Sequence, residues 1–147
     1  MKSIAYELTS APVRVEASSL EAPVVTYLVE SKTWRLEEDY THQDGLVQIT
    51  VPDRFEFDLA SVPRLLWWLI SPFDLSVAAP LVHDFLYRHS GEPPNDAVVP
   101  PRVYERKEAD LLFRRIMKQE GVWLWRRVAA YWAVRSFGVG AWGGGAR

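Results

Sequence analysis

No cysteine occurs among the 147 residues, which excludes disulfide staples and thiolate metal ligands. Any metal has to be held by histidine, aspartate, glutamate or backbone oxygens. No apolar run approaches the length that spans a bilayer, and the start, MKSIAYELTSAPVRVE, has no continuous apolar stretch behind its single lysine. Neither a transmembrane segment nor a signal peptide is expected. Charge of one sign is also missing: the formal net charge is -2 and Lys and Arg are scattered, so nucleic acid is not an expected partner.

What is present is hydrophobic residue, 48% of the chain, enough to bury a sizeable core in one domain over residues 1–147. Seven tryptophans, six tyrosines and six phenylalanines are the compositional excess. Trp67, Trp68, Trp123, Trp125 and Trp132 fall in apolar, helix-like segments. They read either as large core side chains with some rings at the edge, or as a surface that meets lipid or another protein.

The patterning predicts an α+β fold, with strands over 1–58, helices over 59–138 and a flexible tail over 139–147. VVTYLVES and GLVQITV are β-branched and aromatic, and Asp44-Gly45 signals a hairpin, so residues 23–57 read as one small antiparallel sheet. Ser61 is a candidate N-cap, with Pro63 in the first turn of a helix that Ser71-Pro72 ends. A second helix is expected from Leu75 to His89, stopped by Ser90-Gly91, with Pro80 in its first turns or kinking it. EPPNDAVVPP reads as a loop, Arg102–Gln119 as a third helix, and VWLWRRVAAYWAVRSFG as a fourth.

Two ionisable residues interrupt the second helix, His83 and Asp84, and Tyr87 lies one turn beyond the histidine on the same face. In the third helix Ala109, Leu112, Phe113 and Ile116 form an apolar stripe that Asp110 borders. A carboxylate there costs several kcal/mol, on the order of magnitude, unless it is paired. His83 and Tyr87 become its partners if the two helices pack antiparallel. Such a pairing fixes the imidazole tautomer and raises its basicity, as a general base requires.

F-x-F-D-L-A-S-V-P-R (55–64), A-x-x-x-H-D-x-L-Y (79–87), E-A-D-x-L-F (108–113) and A-V-R-x-F-G (133–138) together resemble a family of small uncharacterised proteins found mainly in phages and prophages. H-D-x-x-Y followed by A-D-x-x-F is also distantly similar to the catalytic core of secreted and parvoviral capsid phospholipases. That second resemblance implies two antiparallel helices, His83 as the base that activates water, Asp84 as a calcium ligand, Asp110 orienting the histidine, and Tyr87 bonded to Asp110. Those enzymes take further calcium ligands from a glycine-rich loop. The matching stretch here, LISPFDLSVAA, has no glycine, so Asp84 alone predicts calcium binding no tighter than about millimolar unless Asp58, Asp74 or backbone carbonyls join it.

Structural readings stand beside these. His83 serves equally as a satisfied core histidine, Asp84 as an ion-pair partner of Arg64 or Arg88, and Asp110 as a cap for a nearby loop. Asp58 and Ser61 suit an Asx turn leading into a capped helix, and His42 in YTHQDG suits a solvated side chain. Three functions therefore compete. The first is a hydrolase acting on an ester or amide at a lipid or envelope surface. The second is a non-catalytic virion or host-interaction protein that keeps the helix pair as scaffold. The third is a metal phosphohydrolase using His42, His83, Asp84 and Asp110. The resemblance to phage proteins implies the cytoplasm of a bacterial host, or the virion.

Overall fold

In the computed structural model, which describes residues 13–14, 22–57 and 77–143, the β-branched first half pairs into two antiparallel sheets. The first runs in the order β1 (Val13–Arg14), β2 (Val24–Leu28), β3 (Thr33–Leu36) and β6 (Glu56–Phe57). The second runs β4 (Tyr40–Asp44), β5 (Val47–Val51) and β7 (Val98–Val99). Asp44-Gly45 does make the hairpin: Asp44 pairs with Val47, and Gly45 takes φ +63°, where a side chain would be strained.

The single sheet expected from the sequence is split because β6, not β4, takes the outer edge of β3. Trp34 pairs with Phe57, and the Leu36 amide donates to the Phe55 carbonyl at 2.9 Å. The proline-rich loop also holds more than expected. Val98 is buried, and it pairs with Ile49 to place a short strand on the free edge of β5.

Three helices follow, α1 (Ala78–Arg88), α2 (Arg106–Gln119) and α3 (Leu124–Phe137). Leu75 and Ser76, at the expected start of the second helix, lie outside the described residues, as does the whole helix expected from Ser61. Pro80 occupies the first turn of α1, where its missing N–H costs nothing, and so leaves the helix unkinked. α2 begins four residues later than predicted. Its start is set at Glu105, whose amide donates to the Glu108 carboxylate at 2.9 Å. The residues before it stay extended because the Tyr104 amide donates to the Gly91 carbonyl at 2.9 Å and the Tyr104 ring enters the core.

α1 is buried nearly all round, as a helix apolar on every side must be. It rests on β5 and β6 on one side and on α2 on the other, and α2 in turn packs on α3. Phe55 and Phe57 of the F-x-F motif help to seat it, with Phe55 edge-on to Phe85 at 5.4 Å. A clasp at the hairpin tip fixes the second sheet to α2: Asp44 accepts from Tyr104 at 3.0 Å and from Arg115 at 2.8 Å.

Of the tail expected over 139–147, residues 144–147 lie outside the described residues. Gly138–Ala141 form a 3-10 turn, Trp142 packs edge-on against Tyr87 at 5.0 Å, and the Gly143 amide donates to the Tyr87 carbonyl at 2.8 Å.

Gly91 ends α1 with φ +78°, and a Cβ there would lie 1.7 Å from the Tyr104 carbonyl oxygen. Gly91→Ala is therefore expected to destabilise the fold by about 2 kcal/mol or more, since it combines a left-handed backbone with a clash that only main-chain movement relieves. Urea unfolding of the variant beside the parent measures it. An unchanged midpoint would contradict the close approach of these two segments.

Candidate functional site

The helical spacing that puts His83 and Tyr87 on one face of α1 aims both at Asp110 in the first half of α2. His83 Nε2 lies 2.8 Å from Asp110 Oδ1, and the Tyr87 hydroxyl donates to the same oxygen at 2.5 Å. The order of contacts shows the helices to be antiparallel: Tyr87 meets Arg106 and Asp110, whereas His83, earlier in α1, meets Asp110 and Phe113, later in α2. Phe113 and Tyr87 flank the imidazole, with ring centroids at 4.7 and 4.1 Å. The other ring nitrogen, Nδ1, is 3.9 Å from Asp84 Oδ1.

The second oxygen of Asp110 belongs to arginine. Arg135 of α3 donates to Oδ2 at 2.9 Å, and Arg106, one turn before Asp110, comes to 3.9 Å. Arg106 also donates to the carbonyls of Val134 at 3.3 Å and Arg135 at 2.9 Å, near the C-terminal end of α3, where a cation satisfies orphan acceptors and the helix dipole together. One carboxylate thus ties three helices. Asp110 is 0% exposed and His83 2%.

Burial alone would push the Asp110 carboxyl up, but hydrogen bonds from His83, Tyr87 and Arg135 and the charge of His83 outweigh it and hold the carboxyl below the usual 3.8. For His83 burial pulls downward, and the bonds and charges of Asp110 and Asp84 win, raising the imidazole above 6.5. The Tyr87 hydroxyl is pushed up by burial and by its bond to a carboxylate, so it remains a donor.

Calcium does not fit what is described. Six to eight oxygens are its ordinary complement, and among the described residues no group of three or more His, Asp or Glu side chains is arranged to hold a metal ion. Asp84 stands beside His83 as predicted, but it is one carboxylate. Asp58, Ser61, Arg64 and Asp74, the secondary candidates, lie outside the described residues, as do Trp67 and Trp68. Among the described residues, His42, His83, Asp84 and Asp110 are not brought together as one metal-holding group, as the phosphohydrolase reading would need.

His42 itself corrects an expectation. It is 2% exposed, not solvated, and its Nδ1 has no hydrogen-bond partner among the described residues. Burial lowers its pKa, with Asp44 opposing and Arg115 assisting. Strand alternation puts it on the same inward face as Tyr40, a signal that the polar letters around it concealed.

Arg106 and Arg135 are the members of this cluster that the sequence did not single out. Arg106 had a readable signal, its i,i+4 relation to Asp110. Arg135 lies inside the A-V-R-x-F-G motif, which carried a resemblance but no assigned role. No curated protein and no solved structure matches the chain. Residues 34–134 match the family described as "Protein of unknown function (DUF1353)". That span runs from β3 into α3 and takes in His83, Tyr87, Arg106 and Asp110, stopping one residue short of Arg135. Covering well over half of the chain, the match shows that this protein belongs to the DUF1353 family.

Proposed function

We propose that this chain is a phospholipase-like hydrolase of phage or prophage setting, in which His83 is the general base and the substrate is an ester or amide at a lipid or cell-envelope surface. The observation that carries the reading is the His83–Asp110–Tyr87 triad, with both partners on one carboxylate oxygen. A proton on Nε2 is shared with Asp110, which leaves Nδ1 as the basic nitrogen. From there it takes a proton from water as the oxygen attacks the carbonyl carbon, and returns it to the departing oxygen or nitrogen. Arg135 contributes by neutralising Asp110, so the imidazole need not stay charged to balance it.

One observation favours a second reading, a non-catalytic virion or host-interaction protein. Both oxygens of Asp110 are engaged and His83 is closed off from solvent, which suits a lock between helices. The experiment that separates the two is a hydrolysis screen of the folded parent on soluble short-chain esters and dispersed phospholipid. Turnover that disappears in His83→Gln supports the hydrolase. A folded parent with no turnover on either class leaves the lock as the function of the site.

A further inference from the structure

α3 is apolar on two opposite sides. Ala130, Ala133 and Val134 are buried on the side that meets α2, while Leu124, Trp125 and Trp132 are 59%, 50% and 60% exposed. Trp125 and Trp132 stand at i and i+7, which keeps them on one outward line of the helix, with Leu124 beside Trp125. Trp123, at the N-cap, is 75% exposed and lines an open groove of about 420 Å³ at the head of that line. Large apolar side chains gathered on one surface mark a place that something else covers.

Charge indicates what covers it. From Gly121 to Trp142 the chain has no Asp or Glu, and besides Arg135, which is bonded to Asp110, it carries Arg126 and Arg127. Arg126 lies over the Trp125 ring at 5.4 Å, so a cation and an indole share the rim of the groove. Glu120, just before the segment, is half-buried, and that burial pushes its carboxyl up to about 7. Tryptophan beside arginine matches a bilayer interface, where the ring sits at headgroup level and the guanidinium meets phosphate. A second copy is a poorer match, because a two-fold interface would set this cationic surface against itself. Fourteen residues of helix, about 21 Å, cannot cross a bilayer core of about 30 Å, and α3 is pinned along its inner side by Arg135 and Arg106.

We propose that the outward face of α3, led by Trp123, Trp125 and Trp132, seats the protein flat on a bilayer surface bearing anionic headgroups. The inference deepens the hydrolase reading, on which it rests for its purpose: it brings His83's domain to a lipid ester. It is tested by binding alone. The full chain is sedimented with vesicles of phosphatidylcholine, with or without phosphatidylglycerol, while quenching by brominated lipid reports tryptophan insertion.

Binding to the phosphatidylglycerol vesicles, weakened by salt and reduced at least about tenfold in Trp125→Ser/Trp132→Ser, is the expected result. Both positions are exposed, and a matching melting temperature confirms that the double variant folds. Equal binding by that variant, or no binding to anionic vesicles, overturns the proposal. So does a dimer in sedimentation equilibrium that the double variant abolishes, since a second copy would then cover the face. Vesicle binding by a parent that hydrolyses nothing leaves this inference standing and ends the hydrolase. Hydrolysis of soluble esters without vesicle binding does the reverse.

Discussion

Asp110→Ala is expected to cost about 3–5 kcal/mol, a large share of the 5–15 kcal/mol that holds an ordinary domain together. The reason is asymmetric. Removing the carboxylate deletes one charge but takes the hydrogen-bond acceptor from three partners, of which His83 and Tyr87 are buried and Arg135 is partly exposed. Asp110→Asn should fall between, since its amide oxygen still accepts from His83 or Tyr87 while its NH2 confronts Arg135.

The pH dependence of the parent follows from the two shifts. The stability Asp110 contributes is present above its unfolded value near 3.8 and is lost as pH falls through the lower folded value. What His83 contributes is present below 6.5 and is lost as pH climbs through its raised folded value. The pair therefore stabilises most between those limits. Thermal melts of parent and Asp110→Asn across this range check it: the parent should lose its advantage toward both ends. A variant as stable as the parent throughout would show the network to be energetically idle.

His83→Gln is expected to lower turnover on a responsive ester by about 10²–10⁴-fold, the contribution of a positioned general base, with a much smaller loss of stability. Glutamine keeps an N–H that can donate to Asp110, and Tyr87, Arg135 and Arg106 still surround the carboxylate. Only the basic nitrogen is gone. In the parent, turnover should rise with pH through a value above 6.5, since the base works unprotonated and its neighbours hold the proton on. A rate unchanged by His83→Gln would exclude this base. A melting temperature that falls as far as in Asp110→Asn, with partial recovery in the double variant, would assign the pair to structure.

The HD and AD motifs were legible because a helix converts spacing into direction: an ionisable residue in an apolar stripe has to meet a partner, and only a few are within reach. Arg135 was not legible by that logic. It reaches Asp110 across a tertiary interface, and nothing local in α3 distinguishes it from Arg126 or Arg127. The strands showed their existence but not their partners, since β-branched runs specify pairing potential and leave the choice of edge to packing. His42 and Trp142 were misjudged for a related reason. Each sits among polar or small residues, and what it meets comes from a distant segment: the charge of Arg115 in α2 acts on His42, and the Tyr87 ring packs on Trp142.

The order in which Asp110 meets its partners along the chain carries a consequence in time. A ribosome releases His83, Tyr87 and Arg106 first, then Asp110, and Arg135 only after a further stretch of synthesis, at about 5–20 residues per second. Until α3 emerges, the nascent α1–α2 hairpin has its carboxylate but lacks the arginine that bonds Oδ2, so closing it early would trap a poorly compensated charge. Docking of the last helix thus completes the hydrogen bonding of Asp110 that His83 and Tyr87 begin, and a chain ending before Arg135 is expected to melt below the full chain.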